Sequence, residues 1–330
     1  MTARENPLPA RADAPHAGSA ATCGEATCGA PARLAAWTRD PRHFQIAVLS
    51  SLLAWGVFGL GLELRPRAAL VILASSLATQ WAGTRWVRWR AAPAEAAALR
   101  FEPRSVLISA LSLTLLLRTG SLTVAALAAA LTVGSKFVLR WRGKHVFNPT
   151  NFGLAAILLL TDNAWVSPGQ WGSAAVAAFA VACLGFVVVR RAARSDVTWA
   201  FLAFYGGLVV GRALWLGDPL AIPLHQLSSG AFLIFAFFMI SDPRTTPDSR
   251  AGRFLFAALV ALGAGFVHFV LFRPNGLIWS LAALAPLVPL IDLALPGRRY
   301  CWPSRIRARW AAAPAGSRVE PPALLERSVP

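Results

Sequence analysis

Repeated apolar runs leave this chain few ways to fold. A membrane-spanning helix needs about 20 predominantly apolar residues, and shorter runs suffice where a helix is tilted or broken. Only 14% of the residues are charged, against roughly 25% in soluble domains. We therefore predict an all-α, polytopic membrane protein with about ten transmembrane helices, centred on residues 45–62, 68–84, 105–117, 121–139, 152–166, 172–189, 197–216, 228–240, 254–272 and 276–295.

The positive charges separate by side when the N-terminus is placed inside. Of the 32 Lys and Arg residues, 27 then fall in the tails and inner loops and five in the outer loops, as the positive-inside rule requires. This predicts a protein of the bacterial cytoplasmic (inner) membrane with both termini cytoplasmic. Its parts are a disordered tail at 1–43, a membrane domain at 44–296 and a basic tail at 297–330. We thus assign the net charge of +17 to orientation in the lipid bilayer and predict no nucleic-acid partner.

Two halves of the predicted membrane domain share features at nearly one offset. FNPTNFGLAAILL (147–159) is similar to FRPNGLIWSLAAL (272–284), and the Arg-Thr pairs at 118–119 and 244–245 lie 126 residues apart. Five spans per half is an odd number, so the second half must be inverted in the membrane. Short or proline-broken segments at matching places in inverted repeats indicate the binding site. We predict a polar site between two repeats, at about 44–166 and 172–296.

The stretch GKHVFNPTNF places polar groups between two apolar runs. Asn148 can cap a helix, and the proline that follows it suits the first helical position. The first-turn N–H groups would then face the loop. Lys144 and His145 add donors, and Asn151 adds an amide. We interpret this as a site for a ligand with carbonyls, ring nitrogens or phosphate; the alternative is a capped helix start with Lys144 reaching lipid headgroups.

A second motif, FFMISDPRTTPDSR, follows the eighth predicted span. Its side chains could hold an anionic or heteroaromatic ligand, or form a turn that satisfies its own hydrogen bonds. The complete predicted cofactor-binding set is Lys144, His145, Asn148, Asn151, Asp242, Arg244, Thr245, Thr246 and Asn275.

Other polar residues leave two interpretations open. Arg212, Asp218 and His225 either line an outer vestibule or belong to an interfacial loop. His268 lies inside the ninth span, where a histidine is a functional candidate by default, although one hydrogen bond to a neighbouring helix would satisfy it.

Neither a metal site nor a soluble type of active site is expected. Cys23 and Cys28 form a lone C-x4-C with no second pair nearby, and Cys183 suits packing in an apolar run. The sequence contains no G-x-S-x-G, H-E-x-x-H, P-loop or G-x-G-x-x-G motif. The chain therefore has no self-contained catalytic motif.

Three stretches resemble one family of membrane proteins. KHVFNPTNFGLA, SGAFLIFAFFMISDPRTTP and APLVPLIDLALPGRR are similar to the RnfD component of Rnf electron-transport complexes, within the NQR2/RnfD/RnfE family. The NqrB component of sodium-pumping NADH:quinone reductase is a more distant relative. The resemblance implies two inverted five-helix halves, electron transfer through flavins coupled to ion movement, and other Rnf-like membrane subunits or a redox partner protein. Stand-alone relatives, some associated with enediyne biosynthesis, are also similar.

The resemblance also implies a cofactor, with one departure. Members of this family carry FMN bonded through phosphate to a Thr in D-x-x-(S/T)-G-A-(S/T). The nearest stretch here is QLSSGAF, in which Gln226 replaces the Asp and Phe232 replaces the acceptor. Phenylalanine cannot form the phosphoester, so we expect a flavin, FMN or riboflavin, to be held non-covalently.

Three functions are compatible with these observations. The first is a redox membrane subunit that binds a flavin or quinone between its halves, the protein setting cofactor position and potential. The alternative is a stand-alone transporter or channel for a small molecule, for example one serving a biosynthetic gene cluster. A third function, an assembly partner without ligand, would use its polar groups for helix packing alone.

Overall fold

The structure, a computed structural model, describes six stretches of the chain, and the statements below concern these: residues 40–59, 62, 64–91, 96, 99–167 and 195–300. The predicted sixth span at 172–189, most of both predicted tails and the four cysteines lie outside them.

The first half contains five described helices, four of which begin with proline. Proline suits this position because its ring fixes a helical φ and its missing N–H would have no partner there. Ser121 caps the remaining helix by accepting from the Val124 backbone N–H. The helices are α1 (Pro41–Gly59), α2 (Pro66–Arg90), α3 (Pro103–Leu116), α4 (Leu122–Val138) and α5 (Pro149–Leu160).

Two short antiparallel strand pairs occupy the ends of these helices. Strand β1 (Leu117–Thr119) follows α3 and pairs with β4 (Ala164–Val166), which follows α5. Strands β2 (Arg140–Trp141) and β3 (Lys144–His145) form a hairpin between α4 and α5. The hairpin places Lys144 and His145 immediately before α5.

The second half is also helical, and two of its helices are interrupted. A π-helical turn (Phe235–Met239) continues α8, and a 3₁₀ turn (Ala285–Leu287) separates α10 from α11. Ser229 caps α8 and Ser249 caps α9 through their hydroxyl oxygens. The helices are α6 (Ser195–Leu216), α7 (Ala221–Leu227), α8 (Gly230–Ile234), α9 (Arg250–Phe269), α10 (Gly276–Leu284) and α11 (Val288–Ala294).

Length and composition identify three helical segments able to cross a membrane among the described residues: α6, α9 and the stretch Gly276–Ala294. A fourth is added if α7 and α8 with its π turn, bent by 49°, count as one broken span. Helices α3, α4 and α5 are apolar but shorter.

One packing arrangement occurs in both halves. Helix α4 contacts α2 and α5, and α9 contacts α6 and α10. Helices α5 and α10 then touch across the two halves. Phe58, Trp89, Trp215 and Phe272 are at least 80% exposed, a surface that suits lipid and not water. The chain is a mostly helical, multi-pass membrane protein.

One predicted span is wrong in its second part. The helix over 152–166 ends at Leu160, and residues 164–166 form β4 instead. Thr161, Asp162 and Asn163 break the helix, and the Thr161 hydroxyl accepts from the Asn163 N–H, a local bond that competes with helix. The other predicted spans in the described ranges coincide with helices; α1 begins at Pro41, three residues before the predicted membrane domain.

Candidate functional site

A tight hairpin positions the first two predicted site residues. Its two-residue loop, Arg142 and Gly143, has positive φ at both positions, 48° and 77°, which is the geometry of a type I′ turn. Arg140 pairs with His145, and Trp141 pairs with Lys144. This turn matches the natural strand twist, so the backbone fixes where both side chains begin.

Lys144 joins three separate segments. Its Nζ donates to Asp248 Oδ1 at 3.0 Å and to Asp292 Oδ2 at 2.7 Å. Asp292 Oδ1 accepts from the Asp248 backbone N–H at 2.7 Å. The hairpin, the start of α9 and helix α11 are thus held by one cation and two carboxylates, all largely buried.

Asn148 connects the start of α5 to the end of the π turn. Its Oδ1 accepts from the Asn151 N–H at 3.1 Å and caps the helix. Its Nδ2 donates to the Met239 carbonyl at 3.3 Å and lies 3.4 Å from Asp242 Oδ2. The predicted cap is present, and the same side chain bridges the two halves.

Asn151 makes a second bridge between the halves. Its Nδ2 donates to the Ile278 carbonyl in α10 at 3.2 Å, while its buried Oδ1 has no partner among the described residues. Asn275 precedes α10 in a left-handed conformation, φ 62°. Its backbone carbonyl accepts from Ile278 and Trp279, but its side chain makes no capping bond. The structure therefore brings Asn151 to the start of α10 and leaves the Asn275 amide out of the bridge.

The residues after the π turn form a closed hydrogen-bonded turn. The Asp242 carbonyl accepts from the backbone N–H groups of Thr245 and Thr246, both at 3.1 Å. The Thr246 hydroxyl also donates to it at 3.1 Å. Asp242 Oδ1 accepts from the Arg244 N–H at 3.0 Å. Both threonines are buried, and their hydroxyls are directed to this backbone oxygen. This arrangement corresponds to the alternative in which the turn satisfies its own hydrogen bonds.

His145 is buried among positive charges. Its exposed fraction is 8%, and Nε2 lies 3.4 Å from Arg244 Nη1. Nδ1 is buried, and no described residue forms a hydrogen bond with it. Burial lowers the pKa of His145 well below its ordinary value of 6.5, and the charges of Arg244 and Arg140 lower it further. The ring is therefore neutral at pH 7.

Lys144 and His145 also line a cleft of about 170 Å³ at the hairpin. The other seven predicted site residues do not line it. The lining residues are Trp141, Arg142, Lys144, His145, Val146, Asp248, Val288, Pro289, Asp292, Leu293 and Arg299.

The stretch QLSSGAF, the nearest match to the expected flavin-acceptor motif, packs as apolar core at Phe232. Phe232 is 3% exposed, and its ring centroid lies 5.6 Å from that of Tyr205 and 6.0 Å from that of Phe201. Its N–H donates to the Ser229 hydroxyl at 3.3 Å. The Phe232 side chain therefore packs in an aromatic cluster, and its backbone N–H belongs to the N-cap of α8.

The outer candidates form no compact site. Arg212 Nη1 is 3.7 Å from Asp218 Oδ2, and its guanidinium lies over the Phe269 ring. His225 is exposed, and His268 packs edge-on against Phe269. Among the described residues no group of three His, Cys, Asp or Glu side chains could hold a metal ion.

Sequence reasoning missed several buried charges. Asp292 lies in an apolar run, and Lys136 lies in the last turn of α4 with its Nζ donating to the Ser105 carbonyl at 2.9 Å. Arg253 donates from Nε to Asp196 at 2.8 Å. A single charged residue inside an apolar run was the sequence signal that could have identified them. Such residues face the protein interior and are paired there.

The known proteins that are similar to this chain belong to one family. A sequence model described as the NQR2, RnfD, RnfE family matches residues 68–300. Three similar relatives all carry the name of the RnfD component of an ion-translocating oxidoreductase complex. The Alcanivorax borkumensis protein is 34% identical over 111 residues, 32% of each chain. The Klebsiella pneumoniae protein is 32% identical over 117 residues, 35% of this chain and 33% of its own. An Escherichia coli protein is 28% identical over 137 residues, 42% and 35% respectively. The matched stretches span about a third of the length of these relatives.

Proposed function

The chain belongs to the NQR2, RnfD, RnfE family, and we propose that it is an integral membrane subunit of an Rnf-type ion-translocating oxidoreductase complex. The observation that carries the proposal is a seam of buried polar contacts between the halves. It consists of the Asn148 bonds to Met239 and Asp242, the Asn151 bond to Ile278, and the Lys144 bridge. Polar groups in an apolar membrane body mark ion pathways, because their burial is costly without a role.

We propose that the complete membrane domain has ten spans in two inverted five-helix repeats, at about 44–166 and 172–296. The matching contacts of α4 with α2 and α5, and of α9 with α6 and α10, support this arrangement. So does the meeting of α5 and α10 near their first turns, through Asn151 and Ile278. In inverted repeats, broken helices meet in this way near the middle of the membrane.

The proposed orientation places both tails, 1–43 and 297–330, on the cytoplasmic side of the inner membrane. The support is the distribution of Lys and Arg, which concentrate at the hairpin end of the bundle and in the tails. On this orientation the Lys144 bridge lies at the cytoplasmic boundary and the Asn151 bridge lies deeper. The seam then runs from the cytoplasmic surface into the membrane.

We propose that ions move along this seam while partner subunits supply electrons. Among the described residues, Asn151 Oδ1 is a buried acceptor without a hydrogen-bond partner, and the Asp242 carboxylate lies 3.4 Å from the Asn148 amide at the start of the same helix. An unpaired amide oxygen is a suitable ligand for a passing cation or its hydration water. The side chains thus hold and release a cation; this chain contains no soluble nucleotide-binding motif that would feed electrons in.

The cleft at the hairpin does not by itself support a whole flavin at the nine predicted residues. Only two of them line the cleft, whose volume of about 170 Å³ is below the roughly 300 Å³ at which ligand pockets begin. The Thr245 and Thr246 hydroxyls donate to the Asp242 carbonyl, and Asn148 Oδ1 accepts from the Asn151 N–H. A non-covalent flavin or quinone, as the resemblance implies, is therefore proposed for the complex and not for this cluster.

One observation favours the alternative of a stand-alone transporter. Ser76 Oγ, Gln80 Oε1 and Thr132 Oγ1 are buried in helices α2 and α4 without hydrogen-bond partners among the described residues. Polar atoms of this kind suit a solute path that needs no redox partner.

Purification separates the two functions. The full-length tagged chain is extracted from its own host membranes in mild detergent, and the proteins that remain bound are identified by mass spectrometry. We expect further subunits of an ion-translocating oxidoreductase and donor-driven ion uptake in vesicles, reduced by Asn151→Ala. A chain that migrates alone, and that passes a solute in proteoliposomes without any electron donor, would contradict the redox proposal. An absorption spectrum of the same preparations tests for flavin.

A further inference from the structure

The cleft at the hairpin carries an excess of positive charge. Arg142, Lys144 and Arg299 line it together with Asp248 and Asp292. Both carboxylates are already bonded to Lys144. Within the described part of the chain, neither arginine makes a hydrogen bond or ion pair with the protein. Their donors are therefore available to a ligand.

Arg299 lies beside the hairpin turn that carries Arg142. Gly143 has φ 77°, and a side chain at this position would begin 3.6 Å from Arg299 Nη2. The guanidinium of Arg299 therefore lies against the turn that also carries Arg142. Two guanidinium groups at one tight turn repel each other unless an anion lies between them.

His145 adds a donor without an acceptor. A guanidinium has no lone pair to accept with, so Nε2 must accept from Arg244 and the ring proton must sit on Nδ1. Nδ1 is buried and has no partner in the part of the chain that the structure describes. A buried donor left unpaired destabilises the fold, because it has lost its bonds to water without replacement. The side chain lines the cleft, so an occupant of the cleft is a suitable source of the missing acceptor.

We propose that this cleft binds the oxyanion of a phosphate group, with the Arg142 and Arg299 guanidinium groups and His145 Nδ1 as its donors. The apolar lining, Trp141, Val288 and Leu293, suits the glycerol and first acyl carbons of a phospholipid. Basic pockets on the cytoplasmic side of membrane helices bind anionic headgroups in this way. The volume of about 170 Å³ admits a phosphate with a small ester group. This inference does not depend on the redox function.

A bound oxyanion also explains the charge around His145. Arg140, Arg244, Arg299 and Lys136 all act on the ring as positive charges. Asp248 and Asp292 face the same cleft but are occupied by Lys144. A phosphate would offset the surplus and raise the pKa of His145 from its lowered value.

Native mass spectrometry of the delipidated full-length protein in detergent tests the proposal. The probes are a short-chain phosphatidylglycerol, a phosphatidylcholine of the same chain length, and inorganic phosphate. We expect one tightly retained phosphatidylglycerol, with phosphatidylcholine at least tenfold weaker. Arg142→Gln and Arg299→Gln should each weaken binding about fivefold. Arg298→Gln, an exposed neighbour that does not line the cleft, should bind as the unchanged protein does.

The outcomes distinguish the source of the phosphate. Retention of phosphatidylglycerol alone identifies a lipid headgroup, whereas thermal stabilisation by inorganic phosphate that depends on Arg142 and Arg299 identifies a free phosphate. Equal binding to the Arg142→Gln, Arg299→Gln and Arg298→Gln proteins would overturn the site. Arg299 lies beyond the last helix, so Arg299→Gln keeps the fold and gives a result even if Arg142→Gln does not.

Discussion

Among the described residues, Lys144 bridges two neighbouring carboxylates, those of Asp248 and Asp292. Asp248 and Asp292 would face each other uncompensated without it, since Asp292 Oδ1 is directed at the Asp248 N–H. Their side chains are only 12% and 18% exposed. Removing one member of a buried ion pair lowers the free energy of unfolding by more than the intact pair contributes to it. The reason is that the remaining charge is left buried without compensation.

Lys144→Ala should therefore destabilise the protein by roughly 3–5 kcal/mol, lowering the thermal unfolding midpoint in detergent by several degrees. Adding Asp292→Asn to it should recover part of the loss, because one of the two stranded charges is removed. Arg273→Ala, at an exposed loop arginine, is the control and should change little. A double variant no more stable than Lys144→Ala would contradict this account of the bridge.

His145 predicts a pH dependence of stability. Because its pKa is lower in the folded protein than in the unfolded chain, the unfolded chain takes up the proton first as pH falls. The contribution is complete above about pH 6.5 and is lost below it, by at most about 1.4 kcal/mol per pH unit. In phosphate-free buffer, His145→Gln should lose less stability than the unchanged protein between pH 7.5 and 5.5. His225→Gln, at an exposed site, should follow the unchanged protein; an identical loss in all three would refute the prediction.

Individual side chains were predictable where local chemistry decides them. The Asn148 cap follows from the Asn-Pro pair before an apolar run, and the structure contains it. The partners of Lys144 were not predictable, because Asp248 and Asp292 lie more than 100 residues away. No local pattern distinguishes a lysine that bridges two carboxylates from one that reaches lipid headgroups.

Helices α4 and α5 approach each other closely at one glycine. A side chain at Gly153 would overlap the Thr132 hydroxyl and come within 3.0 Å of the Thr132 Cα. Small residues at such crossings let membrane helices pack, since lipid supplies no hydrophobic drive for their association. The crossing also fixes the direction in which α5 presents Asn148 and Asn151.

Gly153→Ala should destabilise the protein by about 1–3 kcal/mol through overpacking. Gly207→Ala is the matched control in α6, because nothing lies within 4 Å of its added side chain. That change should be neutral or stabilise by up to about 1 kcal/mol through helix propensity. Thermal unfolding of both variants in detergent measures the difference, and equal effects would mean that the crossing tolerates a methyl group.

Asn148 allows its two roles to be separated. Asn148→Ser retains an N-cap but loses the bonds to Met239 and Asp242, whereas Asn148→Ala loses both. The cap is worth about 0.5–2 kcal/mol, so we expect stability to fall from Asn to Ser and again from Ser to Ala. If Ser and Ala were equally unstable, the cap would contribute nothing and the bridge would account for the whole effect.

The apolar runs predicted where the helices lie, but they did not always predict where the helices end. The apolar run at 152–166 reads as one span, yet β4 pairs with β1 from a different part of the chain. Pairing with a distant strand satisfies the backbone groups of residues 164–166 as a helix would. A hydropathy pattern alone does not contain this information.

The molecule as a whole is a helical body with an apolar exterior and a charged seam. Its proposed sidedness rests on the concentration of Lys and Arg at the hairpin end and in the tails. The β1–β4 pair lies at the other ends of α3 and α5. Topology is therefore the property of the whole chain that is most directly testable.

Reporter fusions should give a single consistent topology. Truncations after residues 142 and 297 should leave a fluorescent reporter active in the cytoplasm. Those after residues 120 and 273 should leave a periplasmic phosphatase active, because Arg118 and Arg273 belong to the proposed outer loops. A reporter at residue 297 on the same side as one at residue 273 would contradict the ten-span arrangement.

The π turn at Phe235–Met239 carries one residue more than a regular helix would need. A helix advances about 100° per residue, so deleting any one of these five would swing everything downstream around the axis. Asp242 would then leave Asn148, and the Met239 carbonyl would no longer point at it. The number of residues in the π turn thus determines which later position can place an acid beside Asn148. A relative one residue shorter here must either carry its acid at a neighbouring position or do without the contact.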